Sequence, residues 1–244
     1  MKTSSATCLV LAGLISTSPG IPVSAAAPTM KMTTEIPASI KTPASVDTSI
    51  GTLEFFDGVP TKQTADTLND YIDRARAVQV FINMIPAVSS YQLRQGQRAI
   101  GAKQSNQILI WEELMDSKSL VLTGNNTSLY TWGFLDLKKD GPTVIELPAD
   151  VLGILDNMYM RYLGDMGAAG PDKGKGGKYL VLPPGYDGEV PEGYYVVQSD
   201  TYGVWNMMRG YVRGSVKEAA DSIKAKLKVY PLAQRDNPPE MEFI

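Results

Sequence analysis

The chain has 244 residues, with 23 basic against 26 acidic side chains and a net charge of −3. Hydrophobic residues make up 43% of it, which supports a packed core, while the acidic balance lacks the basic face that a nucleic-acid partner requires. One cysteine and no histidine exclude an internal disulfide, the usual zinc donor sets, and mechanisms built on a His base or a Cys–His pair.

The N-terminus reads as an export signal. Lys2 supplies a positive start, and Cys8–Ile15 (CLVLAGLI) is an apolar core far shorter than the ~20 residues that span a bilayer. Val23-Ser24-Ala25 places small residues where a signal peptidase needs them. Residues 1–25 are therefore expected to be a signal peptide cleaved after Ala25. Residues 26–46, with Pro28, Pro37 and Pro43 among Ser, Thr and Ala, are expected to be a flexible linker. Residues 47–244 then form the folded part. No later run suits a transmembrane anchor, so the expected location is periplasmic or secreted.

Thr64–Ile85 has helical periodicity. Leu68, Tyr71, Ile72, Ala75, Val78, Ile82 and Ile85 fall on one face, with Thr64 as cap and Pro86 as stop. Asp70, Asp73, Arg74 and Arg76 take the opposite, solvated face. From Gln107 onward, short Val-, Ile- and Tyr-rich runs alternate with Gly, Pro and Asn turns. Strands are expected near Leu120–Leu122, Tyr130–Leu137, Thr143–Leu147, Tyr159–Met166, Tyr179–Leu182, Tyr194–Ser199 and Val204–Val212. Lys139–Pro142 reads as a turn and Pro148–Asp156 as a short helix. Ser215 and Glu218 form a capping box ahead of a helix with an apolar stripe at Val216, Ala219, Ala220, Ile223 and Leu227; Tyr230-Pro231 ends it. This pattern implies a mainly β fold with flanking helices, a β-sandwich preceded by an amphipathic helix.

Gly170–Tyr186 (GPDKGKGGKYLVLPPGY) suggests a phosphate-binding loop, but the spacing fails. A P-loop ending at Lys175 needs glycine at Ala169, one ending at Lys178 needs it at Asp172, and Ser or Thr follows neither lysine. A dinucleotide fingerprint from Gly174 needs glycine at Tyr179. The stretch reads as a solvated loop between strands, with no nucleotide cofactor. Asp136–Asp140 lacks the alternating ligands of a calcium loop, so no metal is expected either.

Five segments carry a resemblance to a known family. They are TSIGTLEFFDGVPTKQTADTLNDYIDRARAVQVFINMIPAVS, GNNTSLYTWGFLDLKKDGPTVIELP, GPDKGKGGKYLVLPPGYDGEVPEGYYVVQS, TYGVWNMMRGYV and the closing NPPEMEFI. In this order, over about residues 48–244, they resemble domain-of-unknown-function family twelve-fifty-four. The resemblance implies an exported protein with an immunoglobulin-like antiparallel β-sandwich. It also implies that the chain stops where members continue into a family twelve-fourteen domain, so a truncated member is expected. It implies no reaction and no catalytic residue.

Three functional classes fit. The first is a binding or structural module, for which Tyr130, Trp132, Tyr202, Trp205 and Arg209 are the candidate ligand surface and a small molecule is the ligand class. Aromatics also build cores, and turn chemistry accounts for Asn125 and Asn126. The second is a hydrolase or lyase using carboxylates, Tyr or Lys, drawn from Asp156, Arg161, Asp165, Asp172, Asp200 and Arg209. No spacing forces any two of these together. The third is an assembly subunit, self-associating or completed by a partner chain.

Overall fold

The computed structural model describes residues 37–121 and 124–244. The expected signal peptide, residues 26–36 of the expected linker, and Leu122 of the first expected strand lie outside the described residues. The chain divides into two compact units that meet in sequence at Thr67 and Leu68.

In the first unit, β1 (Ser45–Thr48), β2 (Gly51–Phe56) and β3 (Val59–Pro60) form an antiparallel meander. β1 therefore starts inside the stretch expected to be linker. Gly51 turns the first hairpin at φ +116°, a backbone conformation that side chains disfavour. Helix α1 (Lys62–Ala99) begins here, two residues earlier than its apolar stripe suggests. Thr61, not Thr64, is its cap: the Thr61 hydroxyl accepts from the Thr64 amide at 3.2 Å. Thr64 is buried, and its hydroxyl accepts from the Glu54 amide at 2.7 Å, tying helix to hairpin.

α1 does not stop at Pro86 but runs on to Ala99. An internal proline removes one amide and strains the preceding turn at a cost of about 3 kcal/mol. Docking of the next turns offsets that cost. Ser90 and Gln97 are buried, and the Arg94 guanidinium sits 2.8 Å from the Asp136 carboxylate. A periodicity reading cannot see such distant partners.

The second unit is mainly β. β4 (Gln107–Ile110), β5 (Ser128–Asp136), β7 (Val151–Asn157), β8 (Tyr162–Gly167), β11 (Gly203–Tyr211) and β13 (Glu242–Phe243) build a six-stranded sheet in the order β13-β4-β5-β11-β7-β8. β6 (Thr143–Leu147), β9 (Gly177–Leu182), β10 (Tyr195–Gln198) and β12 (Lys228–Pro231) build a four-stranded sheet, β10-β9-β6-β12. β10 runs parallel to β9, and β13 parallel to β4; the other pairs are antiparallel. Alternate side chains of the two sheets meet in one core. Ile108, Leu129, Leu135, Leu155, Val204 and Met208 come from the larger sheet, and Ile145, Tyr179, Val181 and Val229 from the smaller.

Helix α3 (Val216–Lys226) closes the core with Ala220 and Ile223. Its capping box forms as expected: the Glu218 amide donates to Ser215 Oγ at 3.2 Å, and the Ser215 amide to Glu218 Oε2 at 3.3 Å. Gly210 leaves room for it, since a Cβ there would lie 2.7 Å from Ile223 Cδ1.

Several sequence expectations are corrected. Pro148–Asp156 is not a helix: β7 occupies it, because Val151, Gly153 and Leu155 alternate toward the core and pair on both sides with β11 and β8. Leu120 and Val121 lie outside any strand, and Leu120 is exposed. The expected turn at Lys139–Pro142 opens with a single helical turn, α2 (Leu137–Asp140), capped by Asp136. Tyr230-Pro231 does not merely end a helix but belongs to β12. Near the C-terminus, Phe243 of β13 pairs with Ile108 of β4 and packs with Met241 against the core.

Candidate functional site

The glycine-rich loop is built around one carboxylate. Asp172 is buried and accepts from the Gly167 amide at 2.8 Å, the Gly176 amide at 3.0 Å and the Tyr179 hydroxyl. Burial, then the hydrogen bond to Asp172, push the Tyr179 phenol far above its ordinary range. Gly176 has φ +82° and lies against the Leu147 carbonyl, so its glycine is required by the turn. The loop amides thus serve an internal ligand, and the loop joins β8 to β9 rather than a strand to a helix.

The outer face of the six-stranded sheet is the more distinctive surface. Trp205, Met207 and Arg209 alternate along β11 and stand opposite Phe134, Trp132 and Tyr130 of β5. Leu109 of β4 pairs with Trp132. Trp111 follows β4, with its amide bonded to the Tyr130 carbonyl at 2.9 Å. All three tryptophans of the chain therefore meet. Trp111 and Trp132 pack edge to face at 4.5 Å between ring centroids, and Trp132 and Trp205 lie 6.1 Å apart, tilted.

The last turns of α1 lean over these rings and leave an open groove of about 780 Å³, lined by Leu93, Gly96, Ile100 and Leu109 besides the tryptophans. Two buried polar atoms on groove-lining residues have no partner among the described residues: Trp205 Nε1, a donor, and Gln97 Oε1, an acceptor. Gln97 spends its amide nitrogen on the Gln107 carbonyl at 3.4 Å. Farther along the face, the Arg209 guanidinium lies 5.3 Å over the Tyr130 ring, and its Nε is also buried, with no partner among the described residues. The Tyr130 hydroxyl accepts from the Asn125 amide and side chain at 3.1 and 2.9 Å. Asn125 Oδ1 in turn holds Thr127 and Ser128, which makes Asn125 a turn residue.

Four of the five candidate residues, Tyr130, Trp132, Trp205 and Arg209, thus share one face. Tyr202 does not join them: it lies in the loop before β11, half exposed, with its carbonyl accepting from the Leu137 amide at 2.7 Å. Sequence reading omits Trp111, which falls just past a short strand, and Gln97, which lies beyond the proline expected to end its helix.

The polar candidates separate. Arg161 pairs with Asp200 at 3.3 Å on the surface, where Asn157 also donates to Asp200 at 2.7 Å. Asp172 belongs to the glycine loop. Asp156 and Asp165 approach one another on neighbouring strands: burial raises the Asp156 carboxyl above its ordinary range, and the Asp165 charge adds to this. Tyr162 donates to Asp165 Oδ2 at 3.0 Å. Among the described residues, no three acidic side chains converge as a metal site would need.

The family model described as "Protein of unknown function (DUF1254)" matches residues 105–231. The chain belongs to this family. The DUF1254 match runs from just before β4 to the last residue of β12, so it contains all three tryptophans and Arg209 but not α1. The crystal structure of the VPA0106 protein from Vibrio parahaemolyticus is similar in fold, with a TM-score of 0.50 and 19% identity. That likeness covers 66% of this chain and 39% of the other, so this DUF1254 chain spans well under two thirds of that protein's length. No curated protein matches the chain.

Proposed function

We propose that this chain is an exported binding module whose ligand site is the tryptophan-lined groove. The observation that carries the reading is the meeting of Trp111, Trp132 and Trp205 in an apolar groove. Apolar walls with few polar groups are the usual make-up of a small-molecule site. Such a site suits an uncharged, flat, largely apolar compound that stacks on the indole rings. Among the described residues no carboxylate or cation lines the groove, which favours an uncharged ligand.

1-Naphthol is a suitable probe. Titration should change tryptophan fluorescence saturably, and Trp132→Ala should weaken binding about three- to tenfold, the worth of one aromatic contact. A linear, unsaturable response, or binding indifferent to Trp132→Ala, refutes the reading. Export rests on the residues 1–25 pattern, and its test is the mature mass: the exported protein should begin at Ala26. We read the two-sheet core as an immunoglobulin-like sandwich; the mostly antiparallel ladders support this, although the parallel β9–β10 pair departs from that pattern.

One observation favours a second reading. The raised Asp156 carboxyl beside Asp165 has the make-up of a general acid paired with a carboxylate base. Hydrolase activity that is lost in Asp156→Asn, in a protein that shows no saturable 1-naphthol binding, would favour the enzyme over the binding module.

A further inference from the structure

We propose that α1 is the self-association surface of this chain and pairs antiparallel with α1 of a second copy. Every residue from Tyr71 to Ile85 is exposed, although the stretch is rich in large apolar side chains; Val78 is 59%, Phe81 71% and Ile82 57% accessible. A surface helix of a compact domain buries its apolar stripe, and this one does not. The apolar residues also follow a rule that packing on a sheet does not demand. Leu68, Tyr71, Ala75, Val78, Ile82 and Ile85 are spaced alternately three and four apart, the a/d spacing of a helix that packs along another helix. The pattern ends at Ser89 and Gln92, where α1 begins to dock on its own sheet through Ser90, Arg94 and Gln97. One helix thus has two successive halves with different tasks.

The area suits a second copy. The seam and its flanking Ile72, Phe81 and Val88 expose roughly 800 Å², which equals the share of one partner in a standard stable interface. The helix dipoles select the direction, since antiparallel partners set each positive end beside a negative one. Asp70, Asp73 and Arg76 lie on the face opposite the seam, and no charged residue occurs from Ala77 to Leu93, so the seam itself is apolar. Antiparallel pairing places Leu68 opposite Ile85, Tyr71 opposite Ile82 and Ala75 opposite Val78 of the second copy.

Light scattering on the full chain should give twice the mass of one chain. Val78→Lys combined with Ile82→Lys should halve it, with helix content and the tryptophan emission maximum unchanged, because both side chains are exposed in the single chain. A one-chain mass for the wild type at ~0.1 mM, or a mass indifferent to the lysines, overturns the proposal. If α1 serves a different protein instead, the isolated chain stays at one-chain mass and the proposal fails. Direction is read by cross-linking in a Cys8→Ser background. Leu68 and Ile85 lie about 26 Å apart along the helix. Leu68→Cys and Ile85→Cys chains should therefore form a disulfide only when mixed, and a cross-link within either variant alone overturns the antiparallel arrangement.

Discussion

Replacing Asp172 by alanine tests whether the glycine-rich loop is held from within. The substitution removes the acceptor for the Gly167 amide, the Gly176 amide and the Tyr179 hydroxyl. Gly176 is partly exposed and can turn its amide to water, but Gly167 and Tyr179 are buried. Two buried groups left unsatisfied cost about 1–3 kcal/mol each, so the loss should be about 3 kcal/mol. For a fold of this size that corresponds to about 6–12 °C in Tm. Asp172→Asn should cost less, since one oxygen is kept. Tyr179→Phe removes only one bond and should cost about 1 kcal/mol. Urea unfolding of the two single variants and the double variant completes the test. The loss from Asp172→Ala should shrink in the Tyr179→Phe background, because one stranded group is already gone. An Asp172→Ala variant within 0.5 kcal/mol of wild type, as an ordinary surface substitution would be, refutes an internally stapled loop.

Other outcomes follow from the same geometry. ATP, GTP and NAD at millimolar concentration should leave Tm unchanged, whereas a ligand bound with micromolar affinity would add about 4 kcal/mol at a thousandfold excess. Gly176→Ala should destabilise by about 2 kcal/mol or more, because a Cβ at its positive φ would lie 2.6 Å from the Leu147 carbonyl oxygen. Asp156 has a raised carboxyl pKa in the fold, so its ionised form opposes folding. Asp156→Asn should therefore stabilise the protein at pH 7, and thermal melts should show that advantage fading as pH falls through the raised value. Glu146 behaves oppositely. Burial works against its charge, but hydrogen bonds from Tyr230 at 2.6 Å and from Lys178 outweigh it and lower its pKa. The stability it contributes is present above the usual glutamate range and lost as pH falls through the lowered value, so Glu146→Gln should flatten the acid limb of the stability curve.

The parts of the fold legible in the sequence are those with local causes. The Ser215–Glu218 box needs only residues three apart, and it forms as written. The failed spacing in Gly170–Tyr186 likewise needed no structure. Strand β7 was hidden because a proline followed by a short apolar run suits a helix start equally well, and only pairing with β11 and β8 decides it. Pro86 misleads for a related reason: its local cost is real, and the contacts that offset it come from Asp136, far along the chain. Tyr130, Trp132, Trp205 and Arg209 stand out in the sequence only as aromatic or basic residues of expected strands, and it is the β5–β11 pairing that puts them on one face. Trp111 and Gln97 join it only through the fold, and Tyr202 leaves it for the same reason.

The placement of β11 between β5 and β7 has a kinetic consequence. β5 and β7 are made early and lie on either side of a gap, while the strand that fills it arrives about fifty residues after β7 begins. Until then, each offers a bare row of amides and carbonyls beside apolar side chains, the kind of edge that captures other chains. The smaller sheet has the same dependence, since β6 waits for β12. Such distant pairings make closure slow compared with a hairpin-built sandwich. Refolding yield should therefore fall steeply with protein concentration, and substitutions in β11 should slow folding more than they speed unfolding.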